Sequence, residues 1–155
     1  MSVHLATRKI IKEWTDYNEH MNMAYYVLIF DEAWEIMLNK FHMGGSNAQI
    51  SKRSTMVVDT RTTYNNEVKE NDEVEVFCTF FDHDKKRLHL KCEMYEKKSK
   101  KLAATIESLS LYIDLDKRRV TEFEKDKIKI MSNFINKNKA NFNSENLIFS
   151  GKLKK

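Results

Sequence analysis

The sequence predicts an α+β domain in which a curved antiparallel sheet wraps one apolar helix and a second helix lies on the surface. Three observations lead there. The segment Asn22–Lys40 reads as a helix that is apolar around nearly its whole circumference, which belongs inside something that encloses it. Four strand-like runs follow, joined by hairpin-length connections, and one strand-like run precedes it. At 155 residues with 41% hydrophobic content, the chain has the size and apolar supply of a single packed domain.

The first element, Val3–Trp14, reads as a strand leading into a loop over Thr15–Met21. Asn22 suits the N-cap of the helix that follows, and Gly44–Gly45 lie just past its end. Asp31, Glu32 and Glu35 form its one charged stripe. The sheet comes next: Ser54–Tyr64, Glu73–Asp82, Arg87–Glu96 and Leu102–Asp114 are rich in Val, Thr, Phe, Tyr, Leu and Ile. Alternation places Val74, Val76, Cys78 and Phe80 on one face of their strand. It likewise places Leu88, Leu90, Cys92 and Met94 opposite Arg87, His89, Lys91 and Glu93. The connections His83–Lys86 and Lys97–Lys101 suit turns between antiparallel neighbours. Glu124–Lys139 carries Ile128, Met131, Phe134 and Ile135 at helical spacing, so an amphipathic surface helix is expected. Residues 1–139 form the expected domain, and 140–155, polar apart from Leu147, Ile148 and Phe149, a loosely held tail. One strand, one buried helix and four antiparallel strands make up the hotdog architecture.

Composition excludes several classes. The apolar run around Val27–Phe30 stops at Asp31, too short to cross a bilayer, and the N-terminus lacks the layout of a secretory signal. Cys78 and Cys92 sit within strand-like runs and imply no disulfide framework, so a cytoplasmic location is expected. The net charge of +4 comes from lysines interleaved with Asp and Glu, which describes a solvated surface better than a nucleic-acid site. No metal site is expected, because His83 and His89 lack partners at ligand spacing. Neither a glycine-rich phosphate loop nor a Gly-x-Ser-x-Gly elbow is present.

The chemistry concentrates in Trp14–Tyr26, WTDYNEHMNMAYY, where Asp16, Asn18, His20 and Asn22 lie in the loop feeding the helix. A helix N-terminus has unpaired N–H groups and the positive end of the dipole, so it can hold a developing oxyanion. A carboxylate beside it can attack an acyl carbon or deprotonate a water. The same Asp16 also suits a turn residue making local backbone bonds.

The run Asp-Tyr-Asn-Glu-His-Met-Asn, with Tyr26 and the acidic Asp31 beyond it, resembles the 4-hydroxybenzoyl-CoA thioesterase-like branch of the hotdog superfamily. Within that branch it is most similar to thioesterases associated with carnitine and betaine degradation, and the block Asp82–Leu90 with Glu93-Met94-Tyr95 matches that group too. The resemblance spans about Lys12 to Arg119. It implies hydrolysis of an acyl-CoA thioester with Asp16 as the catalytic carboxylate and the Met23 backbone N–H on the thioester oxygen. Asn18 and His20 are expected to shape the loop or orient water, and His20 is also a candidate second acid. Glu19 stands where the family usually has glycine, which raises the question of a positive φ there. Trp14, Tyr17, Asn22, Tyr25, Tyr26 and Tyr64 are the candidates for substrate binding; the aromatic ones could cage the quaternary ammonium of a betainyl group. Lys85, Lys86 and Arg87 are the candidates for the coenzyme A phosphates. Coenzyme A enters as part of the substrate, and no separate cofactor is expected. A homodimer or tetramer is expected, each pocket lying between subunits and closed by strand residues such as Thr60–Tyr64 of the partner chain. Two other activities remain open on the same scaffold: dehydration or isomerisation of hydroxyacyl thioesters, and acyl-CoA binding without turnover.

Overall fold

A computed structural model describes residues 2–155. Its strands are β1 (Val3–Lys9), β2 (Arg53–Tyr64), β3 (Glu73–His83), β4 (Arg87–Glu96), β5 (Leu102–Asp114) and the short β6 (Arg119–Val120). The helices are α1 (Met23–Lys40), α2 (Gly45–Ser51) and α3 (Lys125–Asn138). The sheet runs β1-β3-β4-β5-β2 with every neighbour antiparallel, and β6 pairs with the end of β5. Because β1 and β2 lie at opposite ends of this order, the chain between them must cross the sheet from edge to edge. That crossing is made by α1 and α2. The curled antiparallel sheet with its helices agrees with the expected architecture.

The core lies between α1 and the concave face. Tyr26, Ile29, Phe30, Ala33, Trp34, Met37 and Leu38 point inward from the 18-residue helix. They meet Val74 and Val76 of β3, Leu88, Leu90 and Met94 of β4, and Ala104 and Tyr112 of β5, all buried. The α1 surface is not enclosed all round, however. Met23, Ala24, Val27, Leu28, Asp31 and Glu35 form an exposed stripe, with Val27 at 41% and Leu28 at 38% exposure. One chain supplies a sheet wide enough to cover only one side of its helix.

Several elements differ from the sequence expectation. The first strand ends at Lys9, and Lys12–Trp14 form a 3-10 turn instead of continuing it. Phe80 does not share a face with Val74, Val76 and Cys78. A bulge leaves Thr79 unpaired between Cys78 and Phe80, so Phe81 enters the core and Phe80 packs on the convex face, 5.1 Å from the His89 ring. One inserted residue reverses the two-residue alternation. α1 ends at Lys40 with Phe41 as its C-cap, and Gly44–Gly45 begin α2, where the Gly45 N–H donates to Glu35 Oε1 at 2.7 Å. α3 closes one end of the core: Met131 is fully buried, and Phe134 packs edge to face against Phe41 and Phe81 at 5.2 and 5.9 Å.

The tail, expected to be loosely held, lies along the convex face. The Ile148 and Phe149 N–H groups donate to the Glu107 carboxylate at 3.0 and 2.8 Å, and Phe149 is buried against His89. Further on, the Lys154 N–H donates to Asp84 at 2.8 Å. Of the three apolar tail residues only Phe149 is buried, and His89 and Glu107 give it a partly apolar, hydrogen-bonding seat.

Candidate active site

The loop before α1 is a small closed hairpin. Thr15 and Met21 form an antiparallel bridge, and the Asn22 N–H donates to Trp14 O at 2.9 Å. Buried Met21 anchors it, donating its N–H to Val68 O at 2.8 Å. The turn closes through the Glu19 N–H to Asp16 O at 2.9 Å, with Glu19 at φ 64°. That left-handed conformation suits glycine, so Glu19 holds it against steric strain.

Asn22 then joins this loop to the helix. Its Oδ1 accepts the Ala24 N–H at 3.0 Å as an N-cap, while its Nδ2 donates to Asp16 Oδ2 at 3.0 Å. The other Asp16 oxygen accepts the Asn18 N–H at 2.8 Å. Asp16 therefore does make the local turn bond its sequence suggested, and it also sits one side chain away from the first turn of α1. The Asn18 amide and the Asn22 side chain hold the Asp16 carboxyl below the usual carboxylate range, against a smaller opposing effect of burial. The adjacent Met23 N–H has no acceptor among the described residues. The arrangement is an ionised carboxylate beside a free N–H at the positive end of a helix, as oxyanion chemistry requires.

The remaining candidates separate into groups. Asn18 contributes its backbone to Asp16, and its side chain is exposed. His20 makes no hydrogen bond to Asp16: its Nδ1 lies 3.2 Å from Met21 O and its Nε2 3.9 Å from Glu67. Trp14 and Tyr25 stack on each other at 5.9 Å, and Tyr17 is 93% exposed at the loop tip. Tyr26 and Tyr64 meet edge to face at 5.3 Å, and the Tyr64 hydroxyl reaches Met23 O at 3.4 Å. Lys85 and Lys86 lie in the β3–β4 turn, and Arg87, which begins β4, is committed to buried Asp84 at 3.0 Å. Within one chain this turn lies far from Asp16. Ala103 of β5 receives the connection beside α1's start, whereas Arg87 faces Leu111, eight strand residues or about 26 Å away.

Two cavities open on either side of the first turn of α1. The smaller, about 210 Å³, is lined by His20, Met23, Tyr26, Tyr64, Asn66 and Glu67 among others. The larger, about 400 Å³, runs along the exposed stripe from Ala24 past Val27 and Leu28 to Asp31 and Trp34. Its opposite wall is Val57 and Thr60 of β2, and Leu90, Cys92, Ile106 and Ser108 form its floor. Asp16 lines neither cavity within the single chain. The larger cavity went unread in the sequence because its α1 residues look like core. Its one sequence sign is small or hydroxylic residues, Ala24, Thr60 and Ser108, at positions where bulkier ones would fill the space. Among the described residues no cluster could hold a metal ion, and no helix is long and apolar enough to cross a membrane.

This combination of a curled sheet, an apolar helix and a carboxylate at the helix start defines a thioester hydrolase, and the chain belongs to the thioesterase-like superfamily, which it matches over residues 11–134. Among characterised relatives, it is 32% identical over 115 residues to the betainyl-CoA thioesterase of Pseudomonas aeruginosa, covering 74% of this chain and 72% of that one. A Staphylococcus aureus protein solved in complex with CoA superimposes with a TM-score of 0.82 at 22% identity, over 93% of this chain and 89% of that one. A putative thioesterase from Pseudomonas putida gives 0.78 at 20% identity, covering 100% of this chain and 97% of the other. At these identities the two structures speak to the fold.

Proposed function

We propose that the protein hydrolyses an acyl-CoA thioester to the free acid and CoA, with Asp16 as the catalytic carboxylate and the Met23 N–H as oxyanion donor. The observation that carries this is the Asn22 bridge, which ties a carboxylate of lowered pKa to the uncapped first amide of α1. As the acyl carbon becomes tetrahedral, its oxygen gains negative charge and the Met23 N–H and helix dipole stabilise it. Asp16 either attacks that carbon, forming a mixed anhydride that water then opens, or takes a proton from the attacking water. In both routes the carbon–sulfur bond breaks, and CoA leaves as a thiolate that takes up a proton.

The working unit in this reading is a homodimer with two equivalent sites. Its support is the open stripe of α1 together with the β2 edge, where Met56, Val57 and Val58 are 39%, 50% and 53% exposed. Antiparallel pairing of β2 with its copy places residues near Tyr64 of one chain opposite those near Arg53 of the other. The same two-fold brings the partner's Lys85 and Lys86 turn to the Asp16 end, where CoA phosphates can meet it. The favoured acyl group bears a quaternary ammonium, as the relative's name indicates for that protein.

The test is thiol release from a panel of acyl-CoAs, betainyl-CoA included. The wild type should release CoA, and Asp16→Asn should lower kcat by about two to four orders of magnitude. No release from any ester, or an Asp16→Asn variant as fast as its parent, rules the mechanism out.

A further inference from the structure

Packing does not account for Asp31. Its two acidic neighbours on α1 are both engaged: Glu32 with Arg8 at 2.7 Å, and Glu35 with the Gly45 N–H at 2.7 Å. The Asp31 carboxylate makes no hydrogen bond or ion pair with any described residue, yet it lies in the wall of the larger cavity among Val27, Leu28 and Trp34. No Lys, Arg or His lines that cavity. Asp31 is exposed in the single chain, where water serves it; an acyl group that fills the cavity removes that water, and the chain provides no cation there to replace it.

We infer that Asp31 is a specificity residue that receives a permanent positive charge at the far end of the acyl group, flanked by the Trp34 indole. The inference rests on the thioesterase reading above and adds where the acyl cation binds. Charge complementarity selects the occupant: a carboxylate and an aromatic ring in an otherwise apolar cavity favour a quaternary ammonium over a neutral alkyl end. Spacing along the helix selects its length. Asp31 is eight residues beyond Met23, a rise of about 12 Å, and its side chain leans back toward the helix start. A cation in contact with that carboxylate therefore stands several ångström from the thioester carbonyl. Four bonds of extended chain span about 5 Å, so a cation three methylenes from the carbonyl makes the contact better than one a single methylene away.

The experiment uses four CoA esters and the wild-type, Asp31→Asn and Asp31→Glu proteins. Two esters carry a trimethylammonio group one or three methylenes from the carbonyl, and two are their neutral tert-butyl isosteres. The readout is the cationic-to-neutral ratio of kcat/KM at each length, which a purely structural role of Asp31 would not move. In the wild type this ratio should be greater for the longer pair. Asp31→Asn should lower it by roughly tenfold or more, and Asp31→Glu should retain most of it. An unchanged ratio in Asp31→Asn overturns the inference, as does a larger ratio for the shorter pair. An altered subunit mass with an unchanged ratio also overturns it and assigns Asp31 to a subunit contact. Should Asp31→Asn fail to fold, Trp34→Leu carries the same test of the ratio. A wild type inactive on all four esters removes the functional reading and this inference with it; an active wild type with an unmoved ratio removes this inference alone.

Discussion

At the scale of single residues, Asn22 carries two tasks that can be separated. As a helix cap it needs only an acceptor, but toward Asp16 it is a donor. Asn22→Asp keeps an acceptor for the Ala24 N–H and replaces the donor with a second negative charge. In the proposed mechanism Asp16 acts as a carboxylate, so activity should be present above its pKa and fall as pH drops through it. With the pKa lowered from 3.8, the wild-type acid limb should lie below the ordinary carboxylate range. In Asn22→Asp the Asp16 pKa rises, and the limb of the kcat/KM profile should move to higher pH. An unmoved limb would show that another group controls the rate. Glu19 offers a second test, because its φ of 64° is strained for any residue with a Cβ and worst for a branched one. Glu19→Gly should leave stability unchanged or raise it by up to about 1 kcal/mol, while Glu19→Val should lower it by about 1–2 kcal/mol in denaturant titration. Equal destabilisation by both would mean the Glu19 side chain, and not the backbone, matters.

Among the elements, the C-terminal segment depends on one buried acid. Burial works to raise the Glu107 pKa, but the Ile148 and Phe149 amides and His89 together hold it below 4.5. A carboxyl lowered in the folded state adds stability that is complete above its unfolded pKa near 4.5 and is lost as pH falls through the lowered folded value. Protection of the Ile148 and Phe149 amides from exchange, taken relative to the intrinsic rate at each pH, should therefore be high at neutral pH and fall once Glu107 protonates. Glu107→Gln keeps the shape but weakens two charge-assisted bonds, which should cost about 1–3 kcal/mol and release the tail. Fast exchange at neutral pH in the wild type would show that the seat does not hold it.

For the whole molecule, the open side of α1 and the unpaired β2 edge are one problem with one solution. Apolar stripe and free strand edge lie together, and in the proposed dimer a second copy related by a two-fold covers both. The 18.5 kDa chain should therefore run as a dimer or a dimer of dimers in light scattering. Val58→Lys places a charge on that face without touching the buried core or lining either cavity. It should yield folded monomer with activity reduced about tenfold or more, since a lone chain leaves Asp16 outside both cavities. A monomer retaining full activity would place the site within one chain.

Much of this was legible in the residues. The apolar helix from Asn22, the strands Arg87–Glu96 and Leu102–Asp114, and the Asp16 loop follow from local periodicity and capping, which the chain carries in its own order. Short-range rules do not reach further. The Thr79 bulge sent Phe80 to the other face because pairing with β4, a partner distant in sequence, sets where the extra residue falls. Glu107, His89 and Phe149 share one buried contact although 18 and 42 positions separate them from Glu107. Asp31 looks like any helix acid until packing shows its neighbours paired and itself alone. Local chemistry fixes which residues can do the work; which of them meet depends on contacts between segments far apart along the chain, and those exist only once the sheet has closed over the helix.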